Sequence, residues 1–217
     1  MTRIALVNPN TSVATTEAML CIARRTRPEL ELEGFTAPFG PSLIIDELGL
    51  AQAADAVVAL GDRLENFDGV IVAAFGDPGL KALRARLAMP VTGIAEAGMT
   101  EAVRGARRFA VATTTPELAG AIAQAARRYG VGEAFLGTFL TPGNPIDLMR
   151  DPARLVEALA EACREGVRAG AEAVVIGGGP LAEAARALNG RIGAEIVEPV
   201  PAAVRLVLSR LIPEVSR

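Results

Sequence analysis

Two carboxylates and four polar turns are the residues of this chain whose types and spacing suit chemistry on a small molecule. Asp77 stands in "VIVAAFGDPGL", where an apolar strand runs into a Gly-Asp-Pro-Gly turn and a helix follows. Glu96 stands in "GIAEAGM", again between a strand and a helix. A carboxylate removes a proton from an acidic α-carbon when burial raises its pKa toward neutrality. Asp77 before Pro78 is equally an N-cap signature for the helix it precedes, and Glu96 gains from a helix dipole with or without chemistry. The turn "NPNTS", from Asn8 and Pro9 through Asn10 to Ser12, offers side-chain amides, hydroxyls and helix N–H groups for a carboxylate or carbonyl oxygen. Asn10 or Thr11 would cap the helix there. In "TTTPE", Thr115 reads as a cap, leaving Thr113 and Thr114 for a ligand. "GGGPLA", Gly177 to Ala182, is a weak dinucleotide fingerprint and a better N–H nest for an oxyanion. At the tip of the strand before Asp77, where a reactive group is expected, stands Ala74.

Composition removes several chemistries. The chain has 217 residues and no His, hence neither the commonest general base nor the commonest metal ligand. Its two cysteines, Cys21 and Cys163, fall within amphipathic helical patterns and read as buried helix residues. No zinc or other metal site is expected. Lys81 is the only lysine and would alone have to carry any Schiff base. A net charge of −3, with both signs interspersed, argues against nucleic acid or an anionic membrane surface as partner. No apolar run approaches the ~20 residues that span a bilayer, and "MTRIALVNPN" reads as a strand rather than a leader. A cytoplasmic protein is expected.

Short apolar strands alternating with Ala/Arg/Glu-rich helices must position these turns, which makes the class α/β with parallel sheets. The strands are expected at Ile4–Asn8, Glu31–Phe35, Val70–Ala74, Val91–Gly93, Arg108–Thr113, Glu133–Phe139, Ala173–Gly177 and Glu195–Glu198. Helices are expected at Thr11–Arg25, Leu50–Leu64, Pro116–Tyr129 and Pro152–Ala169, among others. "RIALVNPNTS" matches "RFAVATTTPE", and "VIVAAFGDPGL" matches "AVVIGGGPLAEA" in the same relative place. The chain therefore reads as an internal duplication: two pseudo-symmetric α/β lobes, each a four-stranded parallel sheet flanked by helices. The first spans residues 1–104 and the second 105–199, with a C-terminal helix at about 200–212 packing back on the first. Ligands of open α/β sheets bind outside the carboxyl strand ends. A cleft between the lobes would be lined by all four turns, with Ala74 opposite Gly178.

"IALVNPNTS", "FGPS", "AAFGDPGL", "GIAEA", "RFAVATTT" and "VVIGGGPLA", in this order over nearly the whole chain, resemble the hydantoin racemase branch of the aspartate/glutamate racemase superfamily. The resemblance implies a cofactor-independent site between the lobes. It also implies two cysteines, one per lobe, that remove and return the α-proton from opposite faces, with the carbanion held as an enolate. Those cysteines fall at Ala74 and Gly178 here, and both are missing. The related arylmalonate decarboxylase keeps only the second. Asn8, Pro9 and Asn10 match the first binding turn, Thr113 and Thr114 the second, and Phe75 and Gly179 flank the vacant positions. The resemblance implies that Ile44 lies in a loop that covers the substrate, so that Asp46 and Glu47 would swing over the cleft.

Two functions remain open. One is a cofactor-free enzyme acting near the α-carbon of a small carboxylate or hydantoin-like cyclic amide, with Asp77, Glu96, Asp46 or Glu47 as acid–base groups and racemisation, lyase or hydrolase chemistry as outcome. The other is a scaffold that binds such a ligand without turning it over. Relatives of this size imply a homo-oligomer.

Overall fold

Runs rich in Val, Ile and Ala, too short for stable helices, form strands, and the Ala/Arg/Glu stretches between them form the crossover helices that parallel strands require. The computed structural model describes residues 1–211. Along the first half run β1 (Arg3–Asn8), α1 (Val13–Thr26), β2 (Glu31–Thr36), α2 (Glu47–Ala59), β3 (Gly69–Val72), α3 (Leu80–Arg86), β4 (Val91–Gly93) and α4 (Ile94–Ala102). The second half contains β5 (Phe109–Thr113), α5 (Ala119–Arg128), β6 (Phe135–Leu140), α6 (Pro145–Met149), α7 (Pro152–Arg168), β7 (Ala173–Ile176), α8 (Ala182–Leu188), β8 (Glu195–Val197) and α9 (Pro199–Leu211).

The strands form two four-stranded sheets, β2-β1-β3-β4 and β6-β5-β7-β8, parallel throughout. The second order is the first with each number raised by four, so the repeat visible in sequence is a repeat of topology. All eight expected strands are present. The main differences are at strand ends: β3 stops at Val72, two residues before Ala74, and β6 starts at Phe135 rather than Glu133.

Both faces of each sheet are covered, and the side-chain period of two sorts residues between them. Ile4 and Leu6 of β1 point into a central core, whereas Ala5 and Val7 pack under Val57, Leu60 and Leu83 on the other face. The central core is shared: Ile71 of the first sheet and Phe109, Val111 and Val175 of the second belong to one apolar cluster with Met19, Ile94 and Val204. Burying each such large side chain stabilises by about 1.5–3 kcal/mol, and here that burial also joins the lobes. The second lobe closes its far face with Ala110, Val174 and Ile176 against Leu159, Cys163 and Leu188. Helix α9 packs on α4, α1 and β3; residue 212 of the expected C-terminal helix lies outside the described residues.

Local chemistry moves several helix starts. Ser12, not Asn10 or Thr11, caps α1 by accepting from the Thr15 N–H at 3.2 Å. Asp46 caps α2 through the Gly49 N–H at 2.7 Å, so that helix begins at Glu47, three residues before Leu50. Cys163 is buried in α7, and burial pushes its thiol up to about 12. Cys21, in α1, is half-buried rather than buried. Among the described residues no helix is long and apolar enough to cross a membrane.

Candidate active site

The carboxyl ends of the two inner strand pairs, β1 with β3 and β5 with β7, meet in one cavity between the lobes. The first lobe supplies Asn10, Ala74 and Phe75, and the second supplies Thr113 to Thr115 and Gly177 to Leu181. Leu43 and Ile44 close it from the loop before α2, and Ile122 and Met149 from the second lobe. Its volume, measured by where water centres fit, is about 50 Å³, room for a few waters or one small ring.

The polar groups at this cavity divide into those already committed and those left over. Asn8 is fully buried and does not line the cavity; its Nδ2 donates to Asn10 Oδ1 (2.9 Å), the Ser12 carbonyl (3.0 Å) and Thr16 Oγ1 (3.0 Å). Asn8 and the buried Pro9 thus shape the turn without facing the cleft, which corrects their expected place in the binding site. Asn10 Oδ1 also takes the Ser12 N–H at 2.9 Å, whereas its Nδ2 has no acceptor among the described residues. Thr113 Oγ1 donates to the Gly177 carbonyl at 2.8 Å and lies 3.1 Å from Thr115 Oγ1, so it ties β5 to β7 and is not free. Thr115 makes no side-chain cap. The Thr114 hydroxyl, lining the cleft and 5% exposed as a residue, is the uncommitted one. The backbone N–H groups of Ala74, Phe75, Thr114 and Thr115 likewise have no acceptor among the described residues.

The glycines of the second-lobe turn differ in what they permit. A side chain at Gly179 would place Cβ 2.7 Å from Met19 Sδ and 2.9 Å from the Ala73 carbonyl, so only glycine lets this turn touch the first lobe. At Gly178 the backbone is extended (φ 167°), and the atoms nearest a Cβ there would be Leu181 Cδ1 and Cγ at 3.1 Å, so the Leu181 side chain would have to give by a few tenths of an ångström. The cavity wall at 178 is therefore open by sequence rather than by steric need. Ala74, opposite in the repeat, is 8% exposed.

No titratable side chain lines this cavity among the described residues. Asp46 is occupied at the start of α2, and Glu47 borders a separate open groove between α2, α3 and α5. Asp77 and Glu96 border that groove too. Asp77 does not cap α3, whose N-cap is Gly79. It caps α4 instead: its Oδ1 accepts the Ala95 N–H at 2.9 Å and its Oδ2 the Glu96 N–H at 2.8 Å. The Tyr129 hydroxyl, from the second lobe, donates to the same Oδ2 at 2.5 Å. Burial drives the Asp77 pKa up to about 6 against the lowering effect of these bonds. The Tyr129 phenol is raised by its own burial and by the Asp77 charge. Glu96 is clamped by Arg84 (2.6 Å) and Arg210 (2.7 Å). Desolvation pushes its pKa up, but the hydrogen bonds and charges of Arg210 and Arg84 outweigh it and hold the carboxyl below its ordinary value.

Sequence reasoning thus placed Asn10, Ile44, Ala74, Phe75, Thr113, Thr114, Gly178 and Gly179 together, and the structure gathers them at one cavity. It missed the apolar lining from Leu43, Ile122, Met149 and Leu181. Ile122 and Met149 lie on α5 and α6, away from any strand end, and nothing local in the sequence signals them.

A family model described as Asp/Glu/Hydantoin racemase matches residues 4–207. The hydantoin racemase of Pseudomonas sp. (strain NS671) is 31% identical over 211 residues, covering 94% of this chain and 83% of its own length. The structure of allantoin racemase from Klebsiella pneumoniae superposes with a TM-score of 0.89 at 32% identity, covering 96% of this chain and 87% of that one. Allantoin racemase from Pseudomonas fluorescens gives 0.90 at 28% identity, over 95% and 89% of the two chains. These relatives are isomerases sharing the two-sheet fold, and a match of this extent makes the chain an enzyme-family member by sequence as well as by shape: it belongs to the Asp/Glu/hydantoin racemase family.

Proposed function

We propose that this protein acts at the α-carbon of a small cyclic amide of the hydantoin type, without a cofactor and without cysteine. The observation that carries this is the donor set of the cavity. Uncommitted N–H and O–H groups face a pocket whose remaining lining is apolar and in which no side chain is charged. A free amino acid would bring an ammonium and a carboxylate, and burying either without a counter-charge costs several kcal/mol. A ring carbonyl flanked by amide nitrogens needs only neutral partners, and an apolar ring substituent fits against Ile44, Ile122 and Leu181. As the α-hydrogen leaves, negative charge grows on the ring carbonyl oxygen, where the donors near Asn10, Phe75 and Thr114 stabilise it.

The resemblance to two-cysteine relatives puts the acid–base pair at positions 74 and 178, and here the two positions leave space instead. Water in that space relays the α-hydrogen from one face to the Glu47 carboxylate, a second water protonates the enolate from the other face, and the hydroxide it leaves is neutralised by the proton held on Glu47. Glu47, exposed and three residues beyond Ile44, is the carboxylate left uncommitted for a loop movement to bring in; Asp77 and Glu96 are held in other bonds.

The test is deuterium incorporation at C5 of 5-alkyl and 5-aryl hydantoins in D₂O, followed by proton NMR together with optical rotation. Exchange with loss of rotation is expected for the rings and none for free amino acids or malonates; absence of exchange on every ring overturns the proposal. A second reading has its own support in the lack of any titratable lining group: a ligand-binding protein that does no chemistry. It is favoured if calorimetry shows hydantoin binding while NMR shows no exchange and chromatography no ring-opened product.

A further inference from the structure

Asp77 occupies a position whose geometry needs explaining. Its backbone lies in the left-handed region at φ 54°, between Gly76 at φ 110° and Gly79 at φ 74°. A non-glycine residue there is strained and persists only where its surroundings over-determine it. Three groups do so, the amides of Ala95 and Glu96 and the Tyr129 hydroxyl. A fourth feature makes room: a Cβ at Gly93 would stand 2.1–2.4 Å from the Asp77 carboxyl atoms, so glycine at 93 is what admits the carboxylate to the start of α4. Arg128, beside Tyr129, covers the contact by stacking over the Tyr129 ring at 5.0 Å and reaching the Gly76 carbonyl at 3.5 Å.

The parts so joined are the walls of the cleft. Asp77 is bonded back to the first-lobe wall, its N–H donating to the Ala74 carbonyl at 3.0 Å. Tyr129 closes α5, the helix that carries Ile122 into the cavity from the second lobe. We infer that Asp77 is a positioning residue: through Tyr129 and the α4 amides it sets the spacing between the Ala74–Phe75 wall and the α5 wall without touching the ligand. This goes beyond the proposed activity and stands or falls separately from it. With Ala95, Glu96 and Tyr129 all donating to it, the Asp77 carboxyl is held in place and is not free to serve a substrate.

The test needs no substrate in its first arm. Nitroxides placed at Lys81 on α3 and Gln124 on α5, in a chain carrying Cys21→Ser, face each other across the groove that borders Asp77. Their distance distribution is read by pulsed electron resonance. Tyr129→Phe and Asp77→Ala are expected to broaden and lengthen it, and Asp77→Asn, which keeps one acceptor, to recover part of the change. Glu101→Gln, which breaks the Arg205–Glu101 pair under α9, is the control for general destabilisation and is expected to leave the distribution alone. Distributions for Tyr129→Phe and Asp77→Ala that match the parent, or that match the control's change, overturn the inference. The second arm measures hydantoin exchange: Tyr129→Phe is expected to raise KM about tenfold, with kcat moving much less, because walls set a fraction of an ångström apart lose binding first. If the parent chain exchanges no hydantoin, the functional proposal fails while the distance arm still decides the role of Asp77.

Discussion

Ala74 on the cleft wall and Asp77, which reaches the start of α4, are three residues apart along the chain and stand in surroundings opposite in electrical character. Among the described residues the cleft is lined by neutral donors and carries no charge. The start of α4 concentrates two buried carboxylates, two arginines and a phenol within hydrogen-bonding reach of one another. In this chain the titratable groups sit beside the cleft, holding elements together. The arrangement is also asymmetric between the lobes. The first-lobe turn is fixed by Asp77 reaching outward, and the second-lobe turn by Gly179 pressing its backbone on Ala73. Two copies of one topology have thus secured equivalent turns by different means, one electrostatic and one steric.

The strongest way to break this comparison is to put titratable groups back in the cleft. Ala74→Cys with Gly178→Cys is expected to raise the hydantoin exchange rate by about 10²-fold or more, the usual yield of a positioned acid–base pair. Either single substitution should raise the rate of rotation loss by under about tenfold, because inversion, unlike exchange, needs both faces. Room exists at 178 once the buried Leu181 side chain gives by a few tenths of an ångström. A double variant no faster than its parent would show that the cleft cannot align a ring between the two positions.

The opposite region breaks by loss of space. Gly93→Ala leaves the backbone at an ordinary φ of −96° but drives a methyl group into the Asp77 carboxylate. Evicting that carboxylate strips the α4 amides and Tyr129 of their acceptor. A loss of about 3 kcal/mol is expected in urea unfolding. A loss under about 1 kcal/mol would mean that Asp77 is not seated at the helix start.

How much of this was legible in the sequence follows from how local each cause is. The strands and the repeat were legible because strands buried on both faces read as short continuous apolar runs, and "RIALVNPN" and "RFAVATTT" share such a run leading into a polar turn. The cavity walls at Ala74, Thr114 and Gly178 followed from strand ends and from the resemblance. The partners of Asp77 were not legible. "DPG" before a helix looks like that helix's own cap, and only the folded chain reveals that Gly93 has cleared a place for the carboxylate on a different helix, or that Tyr129, 52 residues away, bonds to it. Arg210 on Glu96 is hidden for the same reason, at a separation of 114 residues. Thr113 and Thr114 were indistinguishable as adjacent threonines until β7 supplied a carbonyl to one of them.

The two carboxylates at α4 sharpen the contrast through pH. Asp77 holds its proton up to about 6 when folded, against an ordinary 3.8. Its contribution to stability is therefore complete below about pH 3.8 and is lost as pH rises through 6. Glu96 runs the other way, because its folded pKa is lowered: its contribution is present above 4.5 and lost as pH falls through the folded value. Between pH 4.5 and 7 the Asp77 slope is expected to stand alone, at about 2 kcal/mol across the window. Urea titrations at a series of pH values should show stability falling toward neutrality in the parent and a flatter profile in Asp77→Asn. A parent profile that rises across this window would place the Asp77 carboxyl in water.

The smallest expected effect separates two adjacent residues that sequence treats alike. Thr113→Val removes the donor to the buried Gly177 carbonyl and the partner of Thr115, so stability should fall by about 1 kcal/mol with hydantoin affinity changing only as the turn loosens. Thr114→Val removes a hydroxyl that bonds to nothing else in the described residues, so urea stability should stay within about 0.5 kcal/mol. The ligand, however, loses a hydrogen bond in a mostly apolar cavity, and binding by calorimetry should weaken about five- to tenfold. If the two variants instead behave alike, the cleft does not divide its polar groups between scaffold and ligand. The neutral donors that distinguish it from the charged start of α4 would then belong to the fold alone.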